Sequence, residues 1–75
     1  MTRGDIVETW FDTGARGATI LYGIVVAAGP RCYSVKWESG IVNRVSQLSK
    51  VIKTARNIEL AKAELLRQGI INDPD

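Results

Sequence analysis

Residues 18–28, "ATILYGIVVAA", constrain this chain more than any other stretch. They are rich in β-branched residues, almost wholly apolar and uncharged, with Gly23 near the middle. A run of this kind reads as a β-strand with both faces covered, or as one long strand that bends from one sheet into another. In 75 residues there is room for a single domain, and bending is the natural solution for a small β-fold. The missing Cβ at Gly23 would relieve the crowding at such a crease.

The flanking segments supply the rest of a β-fold. "DIVETW", residues 5–10, sets Ile6, Glu8 and Trp10 against Val7 and Thr9, the period-2 pattern of a first strand. "FDTGARG", with two glycines, an Asp and a Thr, has the composition of a mobile loop. After the long strand, "GPR" makes a tight connection, because Pro30 fixes φ and cannot donate to a ladder. "CYSVKWE" then puts Tyr33, Val35 and Trp37 on one face and Ser34, Lys36 and Glu38 on the other. "ESG" turns the chain into a fourth strand, "IVNRV". In "SQLSKVIK" the spacing of Val45, Leu48 and Val51 predicts one 3₁₀ turn before a short, weak fifth strand.

Residues 54–68, "TARNIELAKAELLRQ", form the clearest helical signal, rich in Ala, Leu, Glu and Lys and free of proline and glycine. Thr54 is the expected N-cap, with Asn57 where a capping box would carry Glu or Gln. Gly69 suits the left-handed position after the last turn, which lets Ile70 fold back toward Leu65. Ile58, Ala61 and Leu65 form one stripe with Ala55 and Leu66 beside it, while Leu60 and Ala63 lie away from it and Ile71 is unexplained by it. The expected organisation is a β-unit over residues 1–53, an amphipathic helix over 54–71 and a frayed tail over 72–75.

Composition narrows the chemistry. One cysteine and no histidine exclude an internal disulfide and make a metal site improbable, so Cys32 reads as a small half-buried hydrophobe. Without histidine, the Ser-His and Cys-His nucleophile arrangements are excluded. "GARG" lacks the spacing and the following Lys-Ser/Thr of a phosphate loop, and no paired carboxylates stand at a useful spacing. The expectation is therefore a chain that is not an enzyme and has no cofactor, no metal and no small-molecule substrate. No apolar run approaches a membrane span and no signal-peptide core opens the chain, which gives a cytoplasmic compartment as the default. Charge is uneven: eight basic residues against four acidic up to residue 56, and two against four beyond it. A basic surface that meets phosphates or an acidic partner fits that asymmetry.

"GDIV", "YGIVV", "YSVKWESG" and "VSQLSKV", in that order, resemble the small SH3-like barrels of the Tudor and KOW type. Gly4, Asp5 and Val7 match the first element of that pattern and Ile24 and Val25 the second. Tyr33, Val35, Trp37 and Gly40 match the third, and Val45 and Leu48 the fourth. The resemblance spans about two thirds of the chain and implies a mainly β fold, a five-stranded SH3-like barrel with a C-terminal α-helix. Some Tudor members hold methylated side chains in an aromatic cage, and Trp10, Phe11 and Trp37 look similar to cage positions, with Asn43 near the polar member. Trp37 alternates in phase with Val35, which favours packing for its ring. KOW-type relatives meet nucleic acid or the transcription and translation machinery through basic loops, which singles out Arg16, Arg31, Lys36 and Arg44. The barrel is also similar to that of the type II dihydrofolate reductases, but "GIVN", residues 40–43, stands where their catalytic Val-Gln-Ile-Tyr would fall, so that activity is not implied.

Two functional expectations follow. The first is a binding or adaptor module of prokaryotic or bacteriophage type that contacts nucleic acid or a nucleic-acid-associated protein through its basic loops. The second is a protein-interaction or homo-oligomeric module in which Leu60, Ala63, Ile70 and Ile71 form an apolar patch on the helix.

Overall fold

The period-2 alternation read from the sequence organises one sheet. The computed structural model describes residues 1–12 and 14–71, and of these all side chains but those of Phe11, Asp12 and Arg16. Strand β1 (Ile6–Asp12) leads through a 3₁₀ turn (Gly14–Arg16) into β2 (Ala18–Ala28). Strands β3 (Cys32–Trp37), β4 (Val42–Ser46) and β5 (Ile52–Thr54) follow, and helix α1 (Ile58–Arg67) comes last. The sheet order is β4-β3-β2-β1-β5, with every pairing antiparallel. The chain is thus mainly β with one C-terminal helix. Strands β4 and β5 are the sheet edges, and among the described residues no ladder joins them, so closure into a barrel goes beyond the observed pairing. Val45 and Ile52, one on each edge strand, nonetheless pack against the same cluster.

The middle of the long apolar strand, residues 21–25, is covered on both faces, while Ile20 and Val26 toward its ends are exposed. On the inner face, Val7, Val25, Tyr33, Val35 and Trp37 form a buried cluster, joined by Leu21, Val45 and Ile52. Burying each of those valines contributes roughly 1.5–3 kcal/mol of transfer free energy. On the outer face, Ile6, Ala55, Ala61 and Leu65 form a second cluster, joined by Tyr22, Ile24, Ile70 and Ile71.

The ladders run through Gly23, where the sequence suggested a crease, without a register shift. The register of β2 against β3 shifts between Val25 and Ala27, so the irregularity falls at Val26. Gly23 pairs with Val7 on one side and Trp37 on the other, in the middle of the sheet. A Cβ there would sit 2.6 Å from Val35 Cγ1 and 2.7 Å from Trp37 Cε3. Glycine is needed at this position because two large neighbours lean over it.

The helix begins later than its composition implied. Thr54 pairs with Val7 as the last residue of β5, and the Ala55 N–H donates to the Ile6 carbonyl, so the sheet keeps the chain extended. The Arg56 N–H then donates to Glu8 Oε1 at 2.9 Å, and Asn57 becomes the N-cap, its side-chain oxygen accepting from the Leu60 N–H. The C-terminal end follows the expectation. Gly69 takes φ +76°, and the N–H groups of Gly69 and Ile70 donate to the carbonyls of Leu66 and Leu65.

Residues 46–49 make the single turn that the spacing predicted, the Ser49 N–H donating to the Ser46 carbonyl three residues back. Leu48 is nonetheless 88% exposed, and only Val45 of the three-apart series reaches the core. Gln47 ties this turn down, donating from Nε2 to the carbonyls of Met1 and Gly29. The tail over 72–75 lies outside the described residues.

Candidate functional site

Helix α1 spans ten residues and rests on the outer face over Ile6, Tyr22 and Ile24. It leaves the Trp10 end of β1 uncovered: Ile20, which pairs with Trp10, is largely exposed, and Trp10 itself is half-buried. Two cations rest against that indole. Lys53 Nζ lies 5.4 Å and Arg56 Cζ 5.1 Å from the ring centroid. Strand pairing sets Lys53 opposite Glu8, one alternation from Trp10, and the hydrogen bond from the Arg56 N–H to Glu8 holds Arg56 at the same end. Each such contact contributes about 0.5–1 kcal/mol at an exposed site.

The charge of this cluster is only partly neutralised. Among the described residues, ion pairing is confined to Arg67 and Glu64 on the helix, and no described carboxylate pairs with Lys53 or Arg56. Glu8 is 3% exposed on this same outer face, where its Oε1 accepts the Arg56 backbone N–H. A net positive, partly aromatic surface results.

The inner face carries a different feature. Where β4 and β5 stay apart, an open cleft of about 380 Å³ is lined by Leu21, Trp37, Ile41, Asn43, Val51 and Ile52, among others. Its described lining holds no charged side chain, and Ile41 and Val51 form exposed apolar rims. A second hollow of about 400 Å³, near the β2–β3 turn, brings together Cys32, Tyr33, Ser34 and Arg44. Burial pushes the Tyr33 phenol above its ordinary value of 10.0.

The structure divides the residues singled out from the sequence. Trp37 and Asn43 meet at the inner cleft, with Trp37 only 8% exposed, as packing required. Trp10 stands on the opposite face, so the two indoles do not share a cage: Trp37 is in register with Gly23 and Val7, one residue out of phase with Trp10. The side chains of Phe11 and Arg16 lie outside the described residues. Arg31 is exposed at the β2–β3 turn, and its carbonyl accepts the Gln47 N–H. Arg44 is exposed opposite Ser34, while Lys36 is half-buried between Ile24 and Val42. On the helix, Leu60 is 47% exposed and Ala63 is exposed, whereas Ile70 and Ile71 pack into the outer cluster and leave the expected patch.

Lys53 and Arg56 were not among the residues that sequence reasoning selected. Their positions depend on β5 pairing with β1, a contact between segments more than forty residues apart that no local pattern announces. No protein-family model, curated protein or solved structure matches this chain.

Proposed function

We propose that this chain is a small binding module, without chemistry of its own, that engages nucleic acid or a nucleic-acid-associated protein through the basic end of its sheet. The observation that carries this reading is the Trp10 indole with Lys53 and Arg56 on it, neither paired with a carboxylate among the described residues. Cations beside a ring on a rigid strand suit a partner with phosphates and flat apolar groups. The accompanying fold reading is an SH3-like barrel of the Tudor or KOW kind, left ajar between β4 and β5. The antiparallel order and the common packing of Val45 and Ile52 support it.

Titration of labelled single- and double-stranded oligonucleotides at about 50 and about 200 mM salt tests the reading. Affinity should fall about sevenfold between the two conditions if two phosphates of a single strand are neutralised, because each releases counterions. Absence of binding to any nucleic acid at the lower salt would refute direct contact.

A second reading, assembly with another copy or another chain, draws on a different observation. Ile41, Val42, Leu48 and Val51, in or near the edge strands, are all more than half exposed, and Leu60 and Leu66 are exposed on the helix. Light scattering would then give a mass that rises with concentration and responds little to salt.

A further inference from the structure

The outer-face cluster commits to more than a basic surface. We infer, resting on the nucleic-acid reading above, that Trp10, Lys53 and Arg56 form a site for an unpaired strand: the indole stacks on a base while the two cations take the adjoining phosphates.

Three features carry this. The first is the ring itself. Trp10 is half-buried and anchored at its base by the β1–β2 ladder, opposite Ile20, so its position is fixed before any ligand arrives. A base stacks on such a platform whatever its identity, because every base has a π face. A duplex keeps its base faces inside the stack and offers only edges in its grooves.

The second feature is the placing of the charges. Both cationic groups lie within 5.4 Å of one ring centroid, and both residues are exposed. Like charges beside one ring repel one another, and among the described residues neither is paired with a carboxylate. An incoming phosphate relieves that repulsion and draws the flexible cationic ends off the ring, which clears the indole face for the base.

The third feature is what bounds the site. Helix α1 covers Ile6, Tyr22 and Ile24 and stops short of Trp10, while the hydrogen bond between the Arg56 N–H and Glu8 fixes where the covering begins. Trp10 therefore stands half-buried beyond the helix edge. The inner cleft, neutral along its described lining, offers a phosphate nothing comparable.

The test uses the full chain and a labelled oligothymidylate of roughly 12 nucleotides, alone and as its duplex with oligoadenylate. The single strand should bind at least tenfold tighter than the duplex. Lys53→Gln with Arg56→Gln should lose at least tenfold in affinity and reduce the salt slope by about 1.4, whereas Arg31→Gln with Arg44→Gln should stay within twofold. Binding should quench a fluorescence component that Trp10→Phe removes. If affinity survives in the Lys53/Arg56 pair and collapses in the Arg31/Arg44 pair, the site is wrong and the nucleic-acid reading stands. A duplex bound as tightly as the single strand overturns the unpaired-strand assignment. If no nucleic acid binds the parent chain in dilute salt, the underlying reading itself fails.

Discussion

The inner face of the sheet is filled by the strands themselves, whereas the outer face is covered by a separate element that reaches only part of it. Inside, Val7, Val25, Tyr33, Val35 and Trp37 come from three adjacent strands and interlock over Gly23. Outside, Ala61 and Leu65 bring the helix down on Ile6 and Ala55, and beyond the helix edge the sheet shows Trp10 with its two cations. One face is filled by the strands, and the Trp10 end of the other is left uncovered by the helix. A chain this small has little core to spare, so the division matters for stability as much as for binding.

The comparison breaks most sharply at the two anchors. Trp37→Ala should cost about 4 kcal/mol and abolish cooperative unfolding in urea, because it empties the centre of the inner cluster. Leu65→Ala should cost about 3 kcal/mol and act differently: helix amides should exchange faster while those of the β2–β3 ladder keep their protection. Equal loss of protection in both elements would mean that the faces are one cooperative unit.

Gly23→Ala sharpens the inner side. A single added methyl should cost about 2 kcal/mol, since Val35 and Trp37 must both move. Gly29→Ala, whose nearest contact would be the Cys32 carbonyl at 3.5 Å, should shift the urea midpoint far less. Similar midpoints for the two variants would contradict the packing described around Gly23.

The smallest effect is a pH dependence confined to the inner face. Burial holds the Tyr33 phenol above 10.0, so in alkali the unfolded chain releases a proton that the folded chain retains. Stability is untouched below the unfolded value and declines as pH rises through the folded one. The melting temperature should fall between about pH 9 and about pH 11, and Tyr33→Phe should flatten the decline. An unchanged decline would place its cause outside the inner cluster.

Much of the fold was legible because it rests on local rules. The alternation of β3, the unbroken apolarity of β2 and the Gly69 stop each follow from a pattern within a few residues. The misreadings arise where a distant segment decides. The packing role of Gly23 was hidden because its neighbours in space, Val35 and Trp37, are not its neighbours in sequence. The helix start moved because Glu8 claims the Arg56 N–H, and Ile70 and Ile71 left the surface because the chain turns under the helix end. The candidate site shows the same limit. Trp10 was identified as an aromatic of interest, but its cations come from β5 and the residues after it, which only the β1–β5 ladder brings near.

Iodide quenching of tryptophan fluorescence, compared between the parent chain and Trp10→Phe, tests the two-faced arrangement most directly. Trp10, half-buried beside two cations, should attract the anion and be quenched several-fold more strongly than Trp37, leaving Trp10→Phe nearly unresponsive. Equal quenching of the two proteins would place Trp37 in the same exposed environment and contradict the account.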